Sequence, residues 1–137
     1  PVFTDDTGAP VELAGLRGHP VVLTMFYTTC TNICPATLAK LREIDRAYAA
    51  RDEAVTFVLV SYDARNDKPK ALARYREAHE LPRGRWVLCT GTPGAVRTLA
   101  ELLRVGTSGN RVLRATMVRS WCSLPAWILI RAGPVRL

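Results

Sequence analysis

The sequence predicts an α/β fold in which a central mixed sheet is flanked by helices. An apolar run rich in β-branched and aromatic residues, residues 21–27, precedes an amphipathic segment that begins at Pro35. Two more apolar runs of strand length, residues 55–60 and 86–90, each precede another amphipathic segment. Continuous apolar runs are typical of strands covered on both faces, and the order strand, helix, strand implies a right-handed crossover. A layered domain with helices packed on a sheet follows from this alternation.

The remaining elements are predicted from turn, capping and periodicity signals. Two short apolar pieces around Asp-Asp-Thr-Gly, within residues 3–16, predict an N-terminal β-hairpin. Helices are predicted over residues 35–51, over residues 69–81, and from Pro93 to near residue 105 with Thr92 as the N-cap. Strands are predicted at residues 113–121, 127–130 and 135–137.

Length and composition indicate one globular domain over residues 1–137. The chain is 48% hydrophobic and 23% charged, which is a globular balance. No apolar run approaches the roughly 20 residues that span a bilayer, and any signal or anchor is expected to have preceded Pro1. Four cysteines are too few for a disulfide scaffold in a domain of 137 residues.

The net charge of +7 is concentrated in the last third of the chain, where residues 95–137 carry seven Arg against the single Glu101. A solvated basic face is the favoured interpretation, and docking onto an acidic protein partner or an anionic membrane surface is the functional alternative. The Arg residues are scattered and have no aromatic stacking platform among them, which argues against nucleic acid as a partner.

The rest of the chain is organised around the junction where residues 21–27 lead, through Thr28, to Cys30 and Cys34. Pro35 is tolerated in the first turn of a helix, so both sulfurs are expected at the mouth of the helix that follows. There the helix dipole and the unpaired N–H groups favour the thiolate, which metal binding and disulfide exchange both need. Three intervening residues place the sulfurs about one helical turn apart, so the pair can close a disulfide or hold a soft metal ion. Two thiolates leave a Cu(I) ion short of a third donor.

Five other chemically capable residues have plainer structural interpretations. His19 is interpreted as a polar loop residue, His79 as the edge of an apolar helix face, and Cys89 as a buried, inert thiol. Asp63 is expected to shape a turn and Asp67 to cap the helix that begins at Pro69, with a role near the thiols as the alternative for both acids.

The order of these elements, with two cysteines at the first strand-to-helix junction, is that of a thioredoxin-like fold. The chain resembles the Sco/SenC family of copper-binding, thioredoxin-like proteins, most specifically in FYTTCTNICP at the cysteine junction. Further similar segments follow in the family's order: FTDDTGAPVELAGLRGHPVVL, VSYDARND, LARYREAHEL and WVLCTGTPGAVRTLAELLRV. The resemblance covers most of the chain.

The resemblance implies a metallochaperone that binds copper through Cys30 and Cys34. It implies a protein acceptor, the copper-site subunit of cytochrome c oxidase. The implied role is to help metallate the binuclear copper centre of that subunit, with reduction of its disulfide as a further implied activity. Other copper chaperones are implied as partners. A membrane anchor ahead of the domain is implied for the full-length form, with the domain in the periplasm or on the outer face of the inner membrane.

The chain departs from the family at the third copper ligand. Family members have a His-Ser pair just ahead of the last strand, whereas this chain has no histidine after His79. Counting back from Gly133 places that pair on Cys122 and Ser123, so Cys122 is the expected third ligand in place of the family's histidine. A third thiolate keeps a soft donor for Cu(I) and weakens the case for a stable Cu(II) form. The alternatives are a diverged tail with a two-cysteine site, or a domain that has lost copper and kept redox chemistry.

Two functions from different classes follow. In the first, the protein takes up Cu(I) and passes it to an acceptor by ligand exchange. In the second, it is a thiol-disulfide oxidoreductase in which Cys30 attacks a partner's disulfide and Cys34 resolves the mixed intermediate. A peroxidase acting through Cys30 ranks third, and an idle cysteine pair ranks last because thiols at a helix N-terminus are reactive by position.

Overall fold

The computed structural model describes residues 2–16, 20–29, 33–105, 115–116 and 128–131. Its strands are β1 (Val2–Asp5), β2 (Pro10–Glu12), β3 (Pro20–Phe26), β4 (Thr56–Ser61), β5 (Trp86–Thr90), β6 (Ala115–Thr116) and β7 (Ile128–Arg131). Its helices are α1 (Ile33–Ala50), α2 (Pro69–Ala78) and α3 (Pro93–Val105), with a short 3-10 helix at Leu13–Leu16.

The described strands form one mixed sheet in the order β2-β1-β5-β4-β3-β7-β6. The three central strands, β3, β4 and β5, run parallel, and the pairs toward both edges are antiparallel. Every residue of β4 is buried, and so is every residue of β3 after Pro20. The predicted mixed sheet, with central strands covered on both faces, is confirmed.

The alternation of side chains along the central strands divides the core between the two faces of the sheet. Phe57 and Leu59 of β4 face a cluster that α1 and α2 cover, and the ring of Phe57 stacks on that of Trp86 at 4.4 Å between centroids. Val58 and Val60 face the opposite cluster, which α3 and Phe3 of the hairpin cover. A period of two is what a strand requires to bury both faces.

The N-terminal hairpin is confirmed, and one carboxylate organises its turn. Asp5 Oδ1 accepts hydrogen bonds from the Thr7 amide at 2.8 Å, the Thr7 hydroxyl at 2.6 Å and the Ala9 amide at 2.9 Å. Burial opposes ionisation of Asp5, but the hydrogen bonds from Thr7 and Ala9 outweigh it, so the pKa of Asp5 is lowered. Gly8 has a φ of +90°, a conformation that glycine adopts without a Cβ clash.

A buried ionic cluster ties the residue after β1 to α2. The Asp6 carboxylate accepts from Arg76 Nε and Nη2, both at 2.9 Å, and forms an ion pair with Arg83 Nη2 at 3.0 Å. Arg76 also donates to the carbonyl oxygen of Trp86 at 2.8 Å. Desolvation of Asp6 opposes its ionisation, but the hydrogen bonds and charges of the two arginines outweigh it and lower the pKa of Asp6.

Element boundaries differ from the predictions by a few residues. Helix α1 begins at Ile33, two residues earlier than predicted, because proline is accepted throughout the first turn. Helix α2 ends at Ala78 instead of residue 81, with His79 as its C-cap and Glu80 at a φ of 51°. The cap of α3 is confirmed by a 3.2 Å hydrogen bond from the Ala95 amide to Thr92 Oγ1.

The predictions for the last part of the chain are tested in two places. Strand β6 lies within the predicted strand 113–121, and β7 begins one residue after the start predicted for strand 127–130. The predicted strand 135–137 lies outside the described residues. In the part of the chain that the structure describes, no helix combines the length and the apolar character that a membrane span requires.

Candidate functional site

The cysteine junction lies between the end of β3 and the start of α1. Cys34 is the second residue of α1 and therefore lies in the first turn of that helix, although nothing is described of its side chain. Cys30 lies outside the described residues, and the chain is described up to Thr29 before it. The predicted helix after the cysteine junction is present, and it begins at Ile33, so that Cys34 lies inside its first turn and not ahead of it.

The carboxyl ends of two adjacent parallel strands meet at this junction. Phe26 of β3 is paired in register with Ser61 of β4, and the Tyr62 amide donates to the Phe26 carbonyl oxygen at 2.7 Å. Beyond the paired residues, Tyr27 and Tyr62 are the next residues on their strands, and both are exposed, at 42% and 47%. The segment that precedes Cys30 and the loop that follows β4 thus share one edge of the sheet.

A buried carboxylate connects these two segments. Asp67 is 2% exposed. Its Oδ2 accepts from the Thr28 amide at 2.9 Å and from the Ser61 hydroxyl at 2.5 Å, and its Oδ1 accepts from the Thr28 hydroxyl at 2.5 Å. A hydroxyl donating to a carboxylate at 2.5 Å is a short, charge-assisted hydrogen bond. The loop after β4 therefore holds the residue that stands two positions before Cys30.

The prediction that Asp67 caps α2 is wrong. The N-cap of α2 is Lys68, and no side chain makes a capping hydrogen bond there. The Asp67 carboxylate instead accepts hydrogen bonds from Thr28 and Ser61. All three residues are partly or fully buried, and buried polar groups are costly unless they are hydrogen-bonded. The sequence signal that could have indicated this contact is a polar residue at the end of β4, Ser61, together with one shortly after the adjacent parallel strand β3, Thr28.

Asp63 shapes the turn after β4, as predicted. Its carboxylate accepts from the Asn66 side-chain amide at 2.8 Å and from the Asn66 main-chain amide at 3.2 Å. These hydrogen bonds, the side-chain one first, lower the pKa of Asp63. The main-chain carbonyl oxygen of Asp63 also accepts from the Asp67 amide at 2.8 Å, so the turn presents Asp67 toward the sheet.

Cys89 and His79 have the structural roles that the sequence predicts. Cys89 is completely buried in β5, where desolvation, with a further contribution from the charge of Asp5, raises the pKa of its thiol to about 12. The His79 ring packs on Tyr75 of the apolar face of α2, with 4.2 Å between ring centroids. His19 lies outside the described residues.

The predicted ligand set lies largely outside the described residues. Among the residues that the structure describes, no group of three His, Cys, Asp or Glu side chains is arranged to hold a metal ion. Cys30 and Cys122 lie outside those residues, so the set Cys30, Cys34 and Cys122 stays a prediction. By its chemistry the set fits Cu(I), because thiolates are the soft donors that this ion prefers.

The chain matches the family model described as SCO1/SenC over residues 2–117. It is also similar to the curated SCO1 protein homolog of Bacillus subtilis (strain 168), with 29% identity over 89 residues that make up 65% of this chain and 46% of that protein. The chain spans about half the length of the curated relatives it matches.

Two solved structures illustrate the similarity in three dimensions. A SCO1/SenC family lipoprotein from Bacillus anthracis str. Ames matches with a TM-score of 0.67 and 25% identity, covering 73% of this chain and 60% of that one. The Arabidopsis thaliana ScoI structure with copper bound matches with a TM-score of 0.66 and 26% identity, covering 75% of this chain and 63% of that one. The predicted thioredoxin-like fold is confirmed.

Proposed function

The chain belongs to the SCO1/SenC family, and from that premise we propose that it is a copper-binding protein that delivers Cu(I) to a protein acceptor. The observation that carries the proposal is the cysteine junction, with Cys34 in the first turn of α1 directly after a strand of the central sheet. A relative of 26% identity has been solved with copper bound, which supports copper as the cargo.

Cys30 and Cys34 are the proposed copper ligands, and Cys122 is the proposed third ligand. Sulfur donors suit Cu(I), and a first-turn cysteine lies among main-chain N–H groups that favour the thiolate. Strand β7 runs antiparallel to β3, and its first residue, Ile128, pairs with Leu23 on the side of β3 that leads to the cysteine junction, which supports a donor from the segment before β7. Cys122 precedes β7 by six residues in the sequence.

Delivery requires only ligand exchange. Copper enters as cargo on the thiolates, and the acceptor's own soft ligands replace them one at a time, so no bond other than copper–ligand bonds is made or broken. The proposed acceptor is the copper-site subunit of cytochrome c oxidase. The proposed location is the outer face of the membrane or the periplasm, with the full-length form anchored, and the lipoprotein relative supports such membrane association.

Reduction of the acceptor's disulfide is a second proposed activity, and it uses the same two thiols. The Cys30 thiolate attacks one sulfur of the target disulfide, forming a mixed disulfide and releasing the other target thiolate. Cys34 then attacks the Cys30 sulfur, which releases the second target thiol and leaves a Cys30–Cys34 disulfide. Two electrons pass from this protein to the target. The position of Cys34 in the first turn of α1 supports this chemistry as well as copper binding.

Anaerobic titration of the reduced protein with Cu(I), in competition with a chromophoric chelator, tests the proposal. We expect about one Cu(I) per chain, loss of uptake in Cys30→Ala and in Cys34→Ala, and weaker binding in Cys122→Ala. Cys89→Ala is the matched control, since it removes a thiol that is buried in β5, and it should keep the stoichiometry.

The outcomes separate the alternatives. A folded, reduced wild-type protein that takes up no Cu(I) overturns the copper function, and activity on a disulfide substrate without metal would then support the oxidoreductase. Unchanged affinity in Cys122→Ala overturns the third ligand alone and leaves a two-cysteine site.

A further inference from the structure

Asp67 is buried in the segment that joins β4 to α2. It does not cap α2, and its carboxylate reaches across 39 residues of sequence to Thr28. Burying a carboxylate is costly unless its oxygens are hydrogen-bonded, and here three donors satisfy it. The buried carboxylate is therefore satisfied by Thr28 and Ser61, and it links these two residues.

The contact fixes Thr28 more completely than one hydrogen bond would. The main-chain amide and the side-chain hydroxyl of Thr28 bind different oxygens of the same carboxylate, so both the position and the orientation of this residue are set. Ser61 supports the same carboxylate from the end of β4, and its hydroxyl oxygen accepts from the Asp63 amide at 3.0 Å. The network thus runs from the loop after β4 to the exit of β3.

We propose that Asp67 is a positioning residue for the cysteine pair, which acts by fixing Thr28 at the point where the chain enters the Cys30 segment. Consecutive Cα atoms are about 3.8 Å apart, so fixing Thr28 restricts where the chain can carry Cys30, two residues on. Asp67 touches neither sulfur on this account and is not a ligand. The inference deepens the proposed function and rests on it.

Preorganisation of the thiols has two measurable consequences. A cysteine segment that is already ordered loses less conformational entropy when it binds Cu(I), so releasing Thr28 weakens Cu(I) binding. Releasing Thr28 also lowers the effective concentration of one thiol for the other, which makes the disulfide easier to reduce and its potential less negative. A tenfold fall in effective concentration corresponds to about 30 mV.

Three variants separate positioning from charge and from general stability. Asp67→Ala removes all three hydrogen bonds, whereas Asp67→Asn can keep them, because its carbonyl oxygen accepts in place of Oδ2 and its amide donates to the Thr28 hydroxyl oxygen. Asp5→Ala is the matched control: it also removes a carboxylate that accepts three hydrogen bonds, but on β1, which β5 and β4 separate from β3.

Cu(I) affinity by chelator competition and the thiol reduction potential are measured on the folded, reduced proteins. We expect Asp67→Ala to bind Cu(I) about tenfold more weakly and to shift the potential by about +30 mV, with Asp67→Asn within about threefold of wild type. Asp5→Ala should match wild type in both measurements. Thr28→Val, which removes one of the three bonds, should weaken binding about threefold and replaces Asp67→Ala if that variant does not fold.

Several outcomes overturn the inference. The inference is overturned if folded Asp67→Ala binds Cu(I) with wild-type affinity. If Asp67→Ala does not fold, wild-type affinity in Thr28→Val overturns it instead. Equal weakening in Asp5→Ala points to general stability, and equal weakening in Asp67→Asn points to charge, so either result removes the positioning role. If the wild-type protein binds no Cu(I), the proposed copper function fails and the potentials decide this inference: a shift in Asp67→Ala supports it, and equal potentials overturn it.

Discussion

Among the residues that the structure describes, two aspartates are buried, and the groups that bind their carboxylates differ in kind. Asp6 is held by two arginines, one of which, Arg76, is itself buried. Asp67 is held by one amide and two hydroxyls, none of which carries a charge. Both carboxylates accept enough hydrogen bonds to be satisfied. The two aspartates therefore differ not in the number of their hydrogen bonds but in which parts of the protein they connect.

The Asp6 cluster joins elements of the scaffold. It connects the residue after β1 to α2, and Arg76 extends the connection to the carbonyl oxygens of Trp86 and Leu81. Removing the partner of a buried charge is strongly destabilising. We therefore expect the Asp6 cluster to contribute mainly to the stability of the fold.

The Asp67 network joins two loops at the carboxyl edge of the parallel strands, and one of those loops leads to Cys30. In open α/β sheets this edge is where sites are built. The comparison therefore assigns Asp6 to the stability of the fold and Asp67 to the site. Each assignment can be tested without affecting the other.

The largest expected effect is on stability, from Arg76→Met. The substitution keeps the aliphatic stem but leaves Asp6 with the mostly exposed Arg83, and we expect the free energy of unfolding to fall by about 3 kcal/mol. Denaturant titration measures it. Lys40→Ala, which breaks an exposed i,i+3 pair with Glu43, is the control and should cost less than about 0.5 kcal/mol.

The comparison is sharpened by measuring Cu(I) affinity on the same variant. Arg76→Met should bind Cu(I) as wild type does under conditions where it is folded, because its contacts lie in the scaffold. A variant that loses copper affinity in proportion to stability would show that the two carboxylates are not functionally separate.

Acid titration should produce a smaller effect at the same cluster. Because the pKa of Asp6 is lowered below its ordinary value of 3.8, its ion pairs contribute stability in full above that value and lose it as the pH falls through the folded-state pKa. Below about pH 4 the unfolding free energy of wild type should therefore fall more steeply than that of Asp6→Asn. The loss is smaller than in Arg76→Met, because protonated Asp6 is neutral and Arg76 keeps its carbonyl partners. Parallel curves would contradict the assignment.

The hydroxyl groups of Ser61 and Thr90, which end the adjacent strands β4 and β5, allow a test of the Asp67 network. Ser61→Ala removes a donor to Asp67 and should lower the unfolding free energy by about 1 kcal/mol. Thr90 ends the neighbouring strand β5, and its buried hydroxyl has no hydrogen-bond partner among the residues that the structure describes. Thr90→Val, an isosteric change, should therefore be neutral or stabilising. Denaturant titration of both variants checks the difference, and equal losses would show that Ser61 owes its effect to burial alone.

Local patterns in the sequence were sufficient for most of the fold. The apolar run that became β4 is buried at every residue, and Thr92 caps α3, because strand burial and capping depend on neighbours in the sequence. The start of α1 was displaced by two residues for a local reason as well: Pro35 marks a first turn without selecting a position in it.

The site was less accessible to sequence reasoning because its contacts are long-range. Asp67 has the local signature of a helix cap, directly ahead of Lys-Pro, and its real partners lie on β4 and at the exit of β3, far away in the sequence. Cap chemistry and this network need the same residue type, so the sequence could not distinguish them. The cysteine pair was found because its two members are close in sequence and follow a strand.

The smallest expected effect concerns acceptor docking, and it returns to the edge that Asp67 organises. The Tyr62 side chain is exposed beside the cysteine junction, while its main-chain amide binds Phe26, so Tyr62→Ala should remove a contact surface and keep the strand ends in place. Because tyrosines are frequent anchors at protein interfaces, we expect Cu(I) transfer to the proposed acceptor, the copper-site subunit of cytochrome c oxidase, to slow about threefold, with unchanged Cu(I) affinity. Val2→Ala is the control, since Val2 is 57% exposed on β1, away from β3 in the sheet order. Stopped-flow transfer rates compare the two variants, and a rate for Tyr62→Ala equal to that of Val2→Ala would place the acceptor elsewhere on the surface.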